Sequence, residues 1–198
     1  MINQKNKILR RYTNLPATIY MLQKEAITLL SPSSWDDKND IYFLERYRDK
    51  QNLQNVLALY LTNKKETYHH WNVFAPNMDG VCIEFKKDEL LNDLMPQGII
   101  GDDVHYHYIK ELKKIPPETD ELPFLKRKPF QDDKEYRLIY CSEEDSLPTK
   151  DFPIDLSCIN KIHFSPWMPI NLSNSVESVF SLLLNGNTEI ELNRSTLI

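Results

Sequence analysis

The stretch KPFQDDKEYRLIY, Lys128 to Tyr140, turns a charged loop into a short apolar strand within a few residues. Glu135, Tyr136 and Arg137 stand at the transition, and Leu138, Ile139 and Tyr140 carry the strand onward. Side chains alternate along a strand, so Glu135 and Arg137 share one face while Tyr136 and Leu138 share the other. The pair is either a solvent-facing ion pair of small energetic weight, or a Glu at the mouth of a cleft held by Arg137. In the second case the carboxylate can bind a ribose hydroxyl or stabilise a developing cation. Spacing alone favours the surface pair and leaves both open.

Outward from this strand, VLALYLT (56–62), VCIEF (81–85), DVHYHYI (103–109) and CINKIHFSP (158–166) read as further strands. A helix is expected after Asn14, a good N-cap, with Pro16 in its first turn and Leu15, Ile19 and Leu22 on its apolar face. ETYHHWNVFAPNMDG reads as a helix ending at Asp79-Gly80, and NSVESVFSLLLN as an amphipathic helix ended by Asn185-Gly186-Asn187. SPSSWDDKND (31–40) reads as a polar turn, residues 113–123 as an irregular loop, and TEIEL (188–192) as a last strand. Helices interrupt the strands without strict alternation. The expected fold is therefore α+β: one compact domain over residues 1–198, with a central mixed or antiparallel sheet flanked by helices. Residues 81–85, 104–109, 135–140 and 159–164 should lie in one sheet. Trp71 and Phe85 should share a core beside the helix at 176–184.

Composition narrows the function. Only 4 of the 198 residues are glycine, and neither a GxGxxG nor a GxxxxGK[ST] phosphate loop is present. A net charge of −5 argues against sequence-independent binding to duplex DNA, although FLKRK (124–128) can form a local basic patch. Cys82, Cys141 and Cys158 form no CxxC pair and suit small buried roles in a reducing compartment. The N-terminal stretch lacks the apolar core of a signal peptide, and no apolar run approaches the ~20 residues that span a bilayer. A bacterial cytoplasmic protein with no membrane partner is expected.

Several polar groups invite a chemical reading beside a structural one. His105 and His107 share a strand face and suit a metal by spacing, but no third ligand follows, so no metal is expected; Tyr106 and Tyr108 should pack inward. His69 and His70 suit acid–base work near neutrality or simply a backbone carbonyl. Trp35 and Trp71 can wall a planar ring. Asp36, Asp40 and Glu84 supply oxygen ligands for a divalent metal in a nuclease-like enzyme, without diagnostic spacing. No nucleophile elbow is present.

Taken in order, RYT…ITLLSPSSWDDKND, HHWNVFAPNMDGVCIEF, FLKRKPFQDDKEYRLIY, INKIHFSPW and a terminal LNRSTLI resemble the bacterial domain-of-unknown-function family 2971 over nearly the whole chain. Residues 70–85 and 128–139 carry most of that resemblance. Asp36-Asp37 departs from the family's Asn-Asp-Pro, and Ser165-Pro166 from its usual Gly. Members lie near bacterial defence and mobile elements. RRYTNLPATIYMLQKEAITLLSP (10–32) is also similar to the opening of the DNA-modifying ADP-ribosyltransferase toxins, in which a late strand begins with a Glu after a target-facing loop. That resemblance implies NAD as cofactor, Glu135 and Arg137 as catalytic residues, and Arg11, Tyr12, Ser31 and Trp71 as NAD contacts. It further implies a nucleic-acid or protein target, and the first family's neighbourhood adds an anti-phage effector role. The alternatives are a non-enzymatic antitoxin or sensor subunit that binds a partner protein of a defence system, and the nuclease-like enzyme above.

Overall fold

The structure, a computed structural model, describes residues 7–35, 38–144, 146–184 and 189–198. Its first half contains β1 (Ile8–Asn14), α1 (Leu15–Lys24), β2 (Ala26–Leu30), α2 (Lys38–Lys50), β3 (Asn55–Thr62), α3 (Tyr68–Phe74), β4 (Gly80–Lys86) and α4 (Lys87–Leu94). There follow β5 (Ile99–Asp103), β6 (His105–His107), α5 (Ile109–Lys114), β7 (Leu125–Arg127), β8 (Glu135–Ser142), β9 (Thr149–Pro153), β10 (Ile159–Phe164), α6 (Ile170–Leu183) and β11 (Glu191–Arg194). Parallel and antiparallel pairings both occur among helices, which is the mixed-sheet α+β class expected. The described residues gather into two compact units, one of residues 7–27, 63–93 and 153–198, the other of residues 28–62 and 94–152.

In the first unit β4 runs antiparallel to both β1 and β10, and β11 lies parallel to β10. Gly80 to Phe85 are all buried, so both faces of β4 are covered. Cys82 stands opposite Tyr12 in the register and joins Trp71 and Ala75 of the α3 region in one cluster. Tyr12 meets Trp71 edge-on, with centroids 5.2 Å apart. Phe85 projects from the opposite face of the pleat. Trp71 and Phe85 are both fully enclosed, but in different layers rather than the shared core expected. The helix expected at 176–184 begins earlier, at Ile170, and its Phe180 stacks on Phe164 at 5.3 Å. Its expected terminator, Asn185 to Asn187, lies outside the described residues.

Asn14 caps α1 as its sequence suggests, its Oδ1 accepting from the Ala17 N–H at 3.0 Å. The buried face differs from the expected one: Thr18, Met21 and Leu22 are covered, while Leu15 and Ile19 are half-buried. Thr18 tolerates burial because its hydroxyl donates to the Asn14 carbonyl at 2.8 Å. At the start of β4, Gly80 answers a close approach, since a Cβ there would lie 2.6 Å from the Ala75 carbonyl oxygen.

In the second unit β8 is flanked antiparallel by β3 and β5, and β2 pairs with both β3 and β9. Leu44, Val56, Ala58 and Ile139 form a core on which Trp35 packs. Residues 104–109 are not a strand of this sheet. The extended stretch is only His105–His107, which pairs parallel with Leu125–Arg127 in a separate two-stranded sheet. The strand stops there because the Glu111 carboxylate accepts the Tyr108 N–H at 2.9 Å and starts α5. Tyr108 is consequently exposed, not packed inward. Thr119–Phe124 forms a 3₁₀ turn across the end of the segment expected to be irregular, 113–123. The polar turn after Ser31 is likewise partly helical, with Pro32–Ser34 in a 3₁₀ turn and Asp40 in the first turn of α2. Among the described residues no helix is long and apolar enough to cross a membrane.

Candidate functional site

The loop ahead of β8 is a 3₁₀ turn, Lys128–Asp133, closed by Lys134 in the left-handed region at φ 46°. Thr62 holds this turn, donating its hydroxyl to the Asp133 carbonyl at 2.7 Å. β8 then begins with Glu135, whose N–H donates to the Tyr106 hydroxyl at 2.8 Å. The strand pleat aims Glu135 and Arg137 to one side, as their spacing requires, and Arg137 Nε donates to Glu135 Oε1 at 2.6 Å.

This is no surface pair. Glu135 is 4% exposed and Arg137 is fully enclosed. Lys126 from β7 donates to the other Glu135 oxygen at 2.9 Å and also stands 3.1 Å from Asp133 Oδ2 and 3.3 Å from Asp40 Oδ2. Arg137 reaches Asp40 at 3.2 Å, donates to the Pro123 carbonyl at 2.9 Å, and lies over the Trp35 ring at 5.6 Å. Three carboxylates and two cations thus share one enclosed space. The surface ion pair favoured by spacing is corrected, because Lys126, Asp40, Trp35 and the Pro123 carbonyl close around the pair.

Burial opposes the charge on Glu135, but Arg137 and Lys126 outweigh it and hold the carboxyl below the usual carboxylate range. Burial also opposes the charges on Lys126 and Arg137, and Glu135 and Asp40 more than restore them. All three stay ionised at neutral pH. A carboxylate has about four lone-pair positions, so Glu135, with one donor on each oxygen, can still accept a further hydrogen bond.

The residues expected to hold NAD fit it poorly. Trp71 has no exposed surface, and its Nε1 donates to Glu66 at 2.6 Å. Tyr12 is buried with its hydroxyl toward Cys82, and burial drives its acidity far down. Neither ring offers a face to a ligand, so both are structural residues of the α3 layer. Ser31 Oγ pairs with Ser33 Oγ at 2.8 Å beside a cavity of about 30 Å³, too small for a nucleotide. Arg11 is half-buried on β1, opposite Ile83. Of the residues named for the transferase, the structure brings Glu135 and Arg137 together.

A second polar group occupies the first unit. Arg10 Nε donates to Glu84 Oε1 at 2.8 Å, Asn160 donates to Oε2 at 3.1 Å, and His163 Nε2 stands 3.6 Å from Oε1. Burial raises the Glu84 pKa, but His163 and Arg10 prevail and bring it down to about 2. The oxygen-ligand reading loses its members. Glu84 is paired in one unit, Asp40 in the other, and Asp36 lies outside the described residues. Among the described residues no group of three potential ligands is poised for a metal. His70 is buried, with Nδ1 2.6 Å from the Thr67 hydroxyl, which is the structural role.

Sequence reasoning missed Lys126, Asp133 and Arg10 as members of these groups. The signal for Asp133 was its place two residues before Glu135. Lys126 and Arg10 carried none: Glu84 stands opposite Arg10 only in the β1–β4 register, and Lys126 meets Asp40 only where α2 and β7 pack together.

No protein-family model matches the chain, which leaves the resemblance to domain-of-unknown-function family 2971 without support there. No curated protein matches it either. Among solved structures, it is similar to DarT of Thermus sp. 2.9 in complex with ADP-ribosylated ssDNA, at 11% identity and a TM-score of 0.47, over 96% of this chain and 94% of that one. The same protein in complex with carba-NAD+ aligns at 10% identity and a TM-score of 0.46, over 96% of each chain. In complex with NAD+ it aligns at 10% identity and a TM-score of 0.47, again over 96% of each. At these scores the likeness assigns no activity to the chain.

Proposed function

We propose that the chain is an NAD-dependent ADP-ribosyltransferase-like effector of bacterial defence acting on a nucleic-acid or protein target, with Glu135 as its catalytic carboxylate. The observation that supports this is the state of Glu135: ionised, fixed, and first in a strand that follows a polar loop. Bound NAD would supply an ADP-ribosyl group whose ribose gains positive charge as nicotinamide departs. A fixed negative charge aimed at that carbon stabilises it. Arg137, closed in and bonded to Oε1, sets the Glu135 rotamer. Lys126 covers Oε2. It is the partner that can swing away, because an ammonium on a flexible stem makes a less oriented contact than a guanidinium fork.

The test is NAD consumption and label transfer to a panel of nucleic-acid and protein targets, with NAD binding followed by calorimetry. Wild type should consume NAD, and Glu135→Gln should lose turnover while still binding NAD. Glu135→Asp, which keeps the charge, separates a chemical loss from a folding defect. Wild type that neither binds nor consumes NAD ends this reading.

A further inference from the structure

The second unit carries a cleft of about 330 Å³ that none of the chemistry above uses. Its apolar walls come from two short helices. Tyr42 and Phe43 of α2 face Ile109 and Leu112 of α5, and Tyr42 is 55% exposed. Spacing explains the rim. Arg46 lies one turn after Tyr42, and Lys113 one turn after Ile109, so each cation sits on the same helix face as an apolar residue. Arg127, the last residue of β7, completes it. β7 alternates: Lys126 enters the buried charge cluster and Arg127 enters the cleft.

Among the described residues no acidic side chain lines this cleft. Among the described residues, the side chains of Arg46, Lys113 and Arg127 make no ion pair and no hydrogen bond, whereas those of Lys126, Arg137 and Arg10 are all engaged. The Arg127 Nε is enclosed and has no acceptor. Its guanidinium is nevertheless held in place, 5.3 Å over the Phe130 ring. Three unanswered cations in a chain of net charge −5 mark a local demand for an anion. The walls ask for something else as well. An exposed aromatic face over an apolar floor suits a planar ring, and the volume is that of a small-molecule site.

We propose that this cleft binds a free nucleoside phosphate, its phosphates on Arg46, Lys113 and Arg127 and its base against Tyr42. Three cations match a multiply charged phosphate better than a single carboxylate, and the guanidinium fork of Arg127 suits phosphate oxygens. The site is separate from Glu135 and independent of the transferase reading.

The probes are ADP, adenosine, pyrophosphate and a short single-stranded oligonucleotide, each titrated by calorimetry. ADP should bind more tightly than adenosine or pyrophosphate. Arg127→Gln and Lys113→Gln should each weaken ADP by about tenfold, the weight of a charge-assisted hydrogen bond. Tyr42→Ala should weaken ADP and leave pyrophosphate unchanged. Lys113 and Tyr42 are exposed, so those variants should melt as wild type does. Absence of ADP binding at millimolar concentration overturns the proposal, and so does pyrophosphate binding as tightly as ADP. Tighter binding of the oligonucleotide overturns it in favour of a nucleic-acid strand. Glu135→Gln should keep ADP binding whatever it does to NAD consumption, so the two proposals fail separately.

Discussion

Arg137 Nε lies 2.6 Å from Glu135 Oε1, two residues back on the same strand, with both side chains closed to water. A pair so placed cannot lose one member without leaving the other charged and enclosed. Arg137→Leu should therefore destabilise the protein by about 3–5 kcal/mol. Urea denaturation measures this, and a loss below about 1 kcal/mol, the scale of an exposed pair, would return Glu135–Arg137 to the surface.

Glu84 sets an acid limit. Its folded-state pKa is lowered from 4.5 to about 2, so between those values the unfolded chain binds the proton more readily. Its contribution is fully present above about pH 4.5 and is lost as pH falls toward about 2. Melting temperature should fall across that window, and Glu84→Gln should flatten the fall. An equally steep profile in the variant would assign the acid sensitivity elsewhere.

Gly80→Ala should be costly despite its small volume. The added Cβ would meet the Ala75 carbonyl oxygen at 2.6 Å, and a backbone atom cannot move aside as a side chain does. About 1–3 kcal/mol is expected, as for overpacking elsewhere. A thermal melt identical to wild type would show that the α3–β4 turn relaxes freely.

The three thiols should differ in reactivity. Cys82 and Cys158 are buried, and burial raises both, Cys158 to about 12. Cys141 is half-exposed beside Tyr47. Alkylation of the native protein, read by mass spectrometry, should reach Cys141 first. Early labelling of Cys82 would mean that the Tyr12–Trp71 layer opens.

Legibility in the sequence followed the range of the forces involved. The α1 cap at Asn14 and the strands at 81–85, 135–140 and 159–164 were readable because cap chemistry and side-chain alternation act within a few residues. Tyr108 misled, because a Glu three residues later overrode the β propensity of HYHY. Trp71 read as a ligand wall because hydrophobicity cannot distinguish a cleft from a core. At the candidate site, Glu135 and Arg137 were readable as neighbours on one face. Their burial was not, since it depends on Lys126 and Asp40 arriving through pairings with no local trace.

The alternation of Lys126 and Arg127 makes β7 a divider. One three-residue strand carries a cation into the Glu135 cluster on one side and another into the open cleft on the other. Each cation has its own anchor: Lys126 is held by three carboxylates and Arg127 by the Phe130 ring. The strand therefore keeps the two apart, and a change of charge at the cleft leaves the partners of Lys126 in place.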